Sequence, residues 1–155
     1  MDADVIIVGG GPAGLSAALV LARACRRVIV FDHGHPRNGS ATALNGYLTR
    51  DGISPHEFRA IARDELARYE QVRLVDREVT DAACEEGEFR VRVIDGQQFT
   101  SRKLLLATGV VDHVPEIAGI GEMYGKSVFH CPYCDGYELR GQPLAVYGCE
   151  EKGYG

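Results

Sequence analysis

Positive charge is scarce in this chain: 17 Lys and Arg stand against 22 Asp and Glu, a formal net charge of -5 over 155 residues. A nucleic-acid partner is held largely through its phosphates by a basic face, so this balance speaks against one. Long hydrophobic runs are also lacking. No stretch nears the roughly 18 apolar residues that mark a membrane span, and the run from Val5 stops at glycines after Val8. The opening Met1-Asp2-Ala3-Asp4 carries acids where a secretory leader carries positive charge. The expectation is a cytoplasmic protein with no membrane partner. A dense, even cysteine framework is missing too, since the five cysteines fall at Cys25, Cys84, Cys131, Cys134 and Cys149. In a reducing compartment a close pair is catalytic or metal-binding rather than structural, whereas Cys25 and Cys84 read as buried core thiols. There is no internal repeat and no low-complexity tract. Arginines scattered among acids, as in Arg63-Asp64-Glu65, read as a solvated helix face.

What is present suits one domain with a core. Hydrophobic residues make up 45% of the chain and charged residues 25%, the balance of an ordinary globular protein. Val5-Ile6-Ile7-Val8 reads as a strand buried on both faces. The Ala- and Leu-rich stretch 13–24 reads as a helix, and Val28-Ile29-Val30-Phe31 as a second buried strand. Together they make a βαβ unit. The polar connection 33–51, with Pro36-Arg37-Asn38-Gly39, is long enough to suggest a function. Ser54-Pro55-His56-Glu57 then supplies an N-cap, a first-turn proline and a capping-box glutamate for a helix to about Tyr69. Phe58, Ile61, Ala62 and Leu66 form its apolar stripe. Val72–Val75 is a further strand, and residues 77–101 alternate as an antiparallel meander with a turn at Asp95-Gly96. Leu104-Leu105-Leu106-Ala107 returns to a buried strand ending at Thr108-Gly109. Pro143–Gly148 repeats the strand-then-glycine pattern of the N-terminus. The helix of that second unit is expected where the chain stops, so the sequence reads as the front part of a longer protein. The predicted fold is α/β: a Rossmann-like dinucleotide-binding domain with a parallel sheet and a small antiparallel meander over residues 1–112. The start of a second nucleotide-binding domain occupies residues 113–155.

Two constellations carry chemistry. Gly9-Gly10-Gly11-Pro12-Ala13-Gly14 fits G-x-G-x-x-G between a strand and a helix. Gly9 permits the tight turn, Gly11 the approach of a pyrophosphate, and Gly14 the close packing of helix on strand. The helix N-terminus adds unpaired N–H groups and partial positive charge. Asp32, at the end of the second strand, is placed to accept a hydrogen bond from a ribose hydroxyl. The motif alone does not separate FAD from NAD. The second constellation is Cys131-Pro132-Tyr133-Cys134-Asp135-Gly136. Such a pair forms a short-loop disulfide or half of a zinc site. Structural zinc needs four ligands, and no second Cys-x-x-Cys exists, though His113 and His130 stand nearby in sequence. Asp135 favours redox chemistry, because thiol exchange requires a proton carrier and such pairs commonly lower one thiol pKa. No metal site is expected.

The order of glycine triplet, Ala107-Thr108-Gly109 after the meander, and Cys-x-x-Cys-Asp-Gly resembles the low-molecular-weight thioredoxin reductases over nearly all of the chain. Cys-Pro-Tyr-Cys-Asp-Gly-Tyr-Glu and Pro36-Arg37-Asn38 further resemble a branch related to flavin-dependent dithiol oxidases. The resemblance implies FAD held by Gly9, Gly11, Pro12, Ala13, Gly14 and Asp32, with Ala107, Thr108 and Gly109 near the flavin. It also suggests that Arg37 and Asn38 line the diphosphate or ribityl region. It implies that Cys134 faces the flavin, that Cys131 exchanges with an external disulfide, and that Asp135 gives the proton. The implied enzyme is a homodimer when full length, passing electrons from NADPH through FAD to a thioredoxin-like protein or a small-molecule disulfide. Two alternatives stand beside it: a dithiol oxidase using oxygen, and a flavin-binding module without turnover. NADPH is in doubt, because Glu150 stands where the second motif, Gly148-Cys149-Glu150-Glu151-Lys152-Gly153, expects glycine. In that family a later segment completes the flavin site, so this length of chain alone is expected to bind FAD weakly and not to turn over.

Overall fold

Strand β1 (Ala3–Val8) lies at the centre of the fold, with Ile6 and Ile7 both inaccessible to solvent. Adjacent residues on a strand point to opposite faces, so a strand with both inaccessible is covered on both sides. That is why its sequence shows a run and no alternation. The computed structural model describes residues 1–148. Helix α1 (Pro12–Arg23) follows directly and opens on Pro12, whose missing N–H is harmless in a first turn. Strand β2 (Val28–Phe31) is buried along its whole length. A short 3₁₀ turn, Arg37–Ser40, interrupts the long connection that follows. Helix α2 (Pro55–Leu66) starts where the capping signal predicted, and the Ser54 hydroxyl accepts the Glu57 N–H at 3.1 Å. It ends three residues short of Tyr69, because the Tyr69 N–H turns back onto the Leu66 carbonyl.

Strands β3 (Val72–Val75), β4 (Val79–Glu85), β5 (Glu88–Val93) and β6 (Gln98–Leu106) complete one mixed sheet in the order β3-β2-β1-β6-β5-β4. The first four in that order are parallel, and β6-β5-β4 are antiparallel. Strand β6 therefore belongs to both halves. Its first part pairs with β5, and its later part pairs with β1, with Leu106 opposite Val8. One face of the sheet buries Val5, Ile7, Val28 and Val30 against Leu15 and Ala18 of α1 and Leu66 of α2. The other gathers Ile6, Ile29, Phe31, Val91, Val93 and Phe99. There the Phe31 and Phe99 rings meet edge to face at 5.0 Å.

Four sequence expectations are corrected. The meander and the returning strand are not separate elements, because β6 runs unbroken from one into the other. Leu106 is not buried but 68% exposed, since it shares the face of Leu104 while its neighbours Leu105 and Ala107 take the helix-covered one. Cys25 and Cys84 are exposed thiols, the first in a left-handed turn after α1 and the second on edge strand β4. Among the described residues, 143–148 form no strand, and Leu144, Val146 and Tyr147 are exposed. Among the described residues, no strand pairs with this run. Residues 113–148 carry instead the short helices α3 (Ile120–Met123) and α4 (Pro132–Asp135) and an isolated bridge between Tyr124 and Val128. The second glycine motif with Glu150 lies outside the described residues.

Candidate functional site

The glycine loop sits at the carboxyl ends of β1, β2 and β6, where open parallel sheets bind ligands. Each of its three motif glycines has a different environment. Gly9 has φ of 114°, and a Cβ there would overlap the Ala107 carbonyl. The Gly9 N–H donates to the Phe31 carbonyl at 2.8 Å, and the Ala107 N–H to the Val8 carbonyl at 2.8 Å. The turn therefore holds the ends of three strands together, with Ala107-Thr108-Gly109 beside the glycines. A Cβ on Gly14 would overlap the Gly9 carbonyl, so helix and loop touch through backbone alone. At Gly11, by contrast, a Cβ would meet nothing within 4 Å, although the backbone is extended there (φ -81°, ψ -175°). The fold itself has no need of glycine at this position. A cradle left open at the N-terminus of a helix with no acid in its first turn suits an anionic ligand. Pro12 and Ala13 form that first turn and are exposed.

Asp32 is buried at the end of β2, against Gly10, where an added Cβ would come within 2.6 Å of its carboxyl carbon. One oxygen accepts the Gly34 N–H at 3.1 Å. The other is paired with Arg59, and Arg63 lies 3.8 Å from it and 2.8 Å from Asp76. The Nε of Arg59 is buried with no hydrogen-bond partner. An open groove of about 440 Å³ runs beside this cluster, lined by His56, Arg59, Arg63, Asp64 and Asp76. Arg59 and Arg63 were not singled out as site residues from sequence. Their i, i+4 spacing on α2, which puts both on one helix face, was the available signal.

Cys131 and Cys134 form a disulfide with Cα atoms 5.3 Å apart, and Asp135 closes the same helical turn, α4. The Cys131 Sγ accepts the Cys134 N–H at 3.2 Å. Among the described residues, no hydrogen bond links this pair to the glycine loop. The cysteine segment reaches the first unit through the long connection after β2 instead. The Asn45 side-chain amide donates to the Cys134 carbonyl at 3.0 Å, and a Cβ on Gly125 would come within 2.9 Å of the Ser40 carbonyl. Arg37 donates from Nε and an Nη to the two oxygens of Asp112, at 2.8 and 2.6 Å. Asn38 lies in the adjoining 3₁₀ turn. The Tyr124 hydroxyl stands 2.8 Å from the same carboxylate and 2.9 Å from His130 Nδ1.

Electrostatics follows from this network. The hydrogen bonds from Arg37 and then Tyr124 bring the Asp112 carboxyl down to about 2. Asp112 raises Arg37 in turn, while burial and then the bond to Asp112 raise the Tyr124 phenol. A carboxyl lowered in the folded state stabilises it fully above the ordinary value of 3.8. That contribution fades as pH falls through about 2. An NMR titration of Asp112 should give a midpoint near 2, and Arg37→Ala should move it up toward the ordinary value. An unchanged midpoint in the variant would contradict the pairing.

The whole arrangement has relatives. Residues 3–149 match the family model described as pyridine nucleotide-disulphide oxidoreductase. The chain is 44% identical over 146 residues to thioredoxin reductase tcpT of Claviceps purpurea, spanning 92% of this chain and 46% of that protein. It is 43% identical over 143 residues to thioredoxin reductase aclD of Aspergillus oryzae, spanning 90% of this chain and 45% of that one. A solved oxidoreductase from Agrobacterium tumefaciens superposes with a TM-score of 0.86 at 48% identity, covering 90% of this chain and 48% of the other. The chain thus spans less than half the length of these relatives.

Proposed function

The chain belongs to the pyridine nucleotide-disulphide oxidoreductase family, and on that premise we propose that it carries the FAD cradle and the redox disulfide of a thiol–disulfide oxidoreductase resembling thioredoxin reductase. The observation that carries the proposal is the open cradle at Gly11, in a loop otherwise closed by backbone contact, on a chain that also holds the Cys131–Cys134 disulfide. Residues 1–112 form the FAD unit and 113–155 the start of the nicotinamide unit. Gly9, Gly11, Pro12, Ala13 and Gly14 would take the diphosphate, and Asp32 a ribose hydroxyl. Ala107, Thr108 and Gly109 would border the flavin. Arg37 and Asn38 would line the ribityl or diphosphate region, with the Arg37 fork also engaged by Asp112. When bound, FAD supplies an acceptor and donor of an electron pair.

The protein's own residues do the rest. Cys131 would exchange with the external thiol or disulfide, Cys134 would face the flavin, and Asp135 would serve the pair as a proton donor. An N–H donated to Cys131 Sγ at the start of a helical turn favours its thiolate once the disulfide opens. The external partner is a thioredoxin-like protein or a small disulfide or dithiol, and the complete enzyme is a cytoplasmic homodimer. Among the described residues no helix is long and apolar enough to cross a membrane.

Glu150 favours a second direction of flow, from a substrate dithiol through the disulfide and flavin to oxygen, because a carboxylate there hinders a nicotinamide diphosphate. The full-length protein separates the two. NADPH consumption with thioredoxin marks the reductase, and oxygen consumption with a dithiol and no NADPH marks the oxidase. Flavin bound with neither activity would mark a binding module and overturn the proposal.

A further inference from the structure

His130 immediately precedes Cys131, and the hydrogen bonds around it determine its tautomer. Asp112, kept ionised by Arg37, can only accept. Tyr124 keeps its phenolic proton, and that single proton goes to the stronger acceptor, the Asp112 carboxylate 2.8 Å away. The Tyr124 oxygen then faces His130 Nδ1 at 2.9 Å with only its lone pairs, so Nδ1 must be the N–H that donates. In the neutral ring this leaves Nε2 as the free base. The Tyr124 and His130 rings also stack, with centroids 5.9 Å apart and planes at 22°, which fixes the imidazole orientation. His130 itself is exposed and stands one residue before Cys131, the thiol that meets the substrate in the reading above. A histidine held by a hydroxyl that a carboxylate holds in turn, with its far nitrogen unpaired among the described residues, is the arrangement of an oriented general base. The groups the structure sets against His130 are Tyr124, Asp112 and, behind them, Arg37.

We infer that His130 is the proton-exchanging residue of the Cys131 half-reaction, with Tyr124 and Asp112 as its positioning residues. This rests on the functional reading above and deepens it. In the step, the S–H bond of the incoming thiol breaks and its proton passes to His130 Nε2. The sulfur electron pair forms a bond to Cys131 Sγ, and the Cys131–Cys134 bond breaks with its pair left on Cys134. The substrate sulfur is oxidised and the disulfide reduced. In the opposite direction the imidazolium returns the proton to the departing thiolate. Asp135 remains the proton carrier for Cys134, so the two sulfurs have separate proton partners on either side of the motif.

The test is rapid quenching of the full-length, FAD-loaded protein mixed with dithiothreitol under anaerobic conditions. Alkylation and mass spectrometry then measure opening of the Cys131–Cys134 disulfide from pH 5 to 9. His130→Gln should slow opening at neutral pH by roughly 10²-fold, the usual scale of general-base catalysis. The deficit should close toward alkaline pH, where the reductant ionises unaided. Tyr124→Phe keeps the stacked ring and loses the link to the carboxylate, so it should show part of the same neutral-pH deficit with the same recovery toward alkaline pH; Asp112→Asn should behave the same way. A His130→Gln protein with the wild-type rate and profile overturns the inference, as does one slowed equally at every pH. If dithiothreitol fails to open the disulfide even in the wild-type protein, the functional reading itself has failed.

Discussion

Gly11→Asp in the full-length protein should abolish FAD retention while leaving the fold and its melting temperature nearly unchanged. The Gly11 backbone is extended and an added Cβ would meet nothing, so a side chain costs the apoprotein little. A carboxylate in that space would lie against the diphosphate. An unpaired charge forced into a closed contact costs about 3 kcal/mol or more, which is a loss of at least roughly 10²-fold in affinity. Gly9→Ala gives the contrasting result. Its φ of 114° and the overlap with the Ala107 carbonyl strain the junction of β1 and β6, so the apoprotein itself should lose about 3 kcal/mol. Denaturant unfolding alongside flavin fluorescence checks both. Undiminished FAD binding by a folded Gly11→Asp protein would refute the assignment of the cradle.

Cys134→Ser should eliminate steady-state turnover, by roughly 10³-fold or more, because the proposed reaction passes electrons between flavin and substrate through the pair. The two cysteines should also fail differently. Without Cys134, the Cys131 thiolate can still attack an external disulfide, but the thiol that would resolve the adduct is gone. A stable mixed disulfide should therefore accumulate on Cys131 and appear as the added mass of the partner. Cys131→Ser should be equally inactive without accumulating it. Adducts formed equally by both variants would mean that the external and flavin-facing roles are wrongly divided.

The features legible in the sequence are the local ones. The glycine triplet, the Ser54 cap and the Cys-x-x-Cys turn each depend on residues within a few positions of one another, and each is where the pattern placed it. Strands β1 and β2 were legible because covering a strand on both faces removes polar residues from it. The joining of the meander to the parallel sheet was not. Alternation in Gln98–Ser101 and an apolar run in Leu104–Leu106 suggest two strands, yet one strand meets a half-exposed neighbour first and the central strand later. The partners of the site residues were also hidden. Arg37 lies 75 positions from Asp112, and Asn45 lies 89 from Cys134. No periodicity encodes a pairing across such distances. Arg63 looked like a solvated arginine for the same reason, since only the fold brings β2 and its Asp32 beneath α2. The buried cysteines expected at 25 and 84 failed because a general burial preference says nothing of an edge strand or a helix exit.

A chain that joins a flavin cradle to a redox-active disulfide stores two electron pairs, and its reductive capacity counts them. The full-length, FAD-loaded protein is titrated anaerobically with dithionite while flavin absorbance and free thiols are followed together. Two electron pairs should be taken up per chain, one opening the Cys131–Cys134 disulfide and one bleaching the flavin, and a single pair in Cys134→Ser. A wild-type protein that bleaches after one pair and releases no thiols would contradict the joining of the two centres.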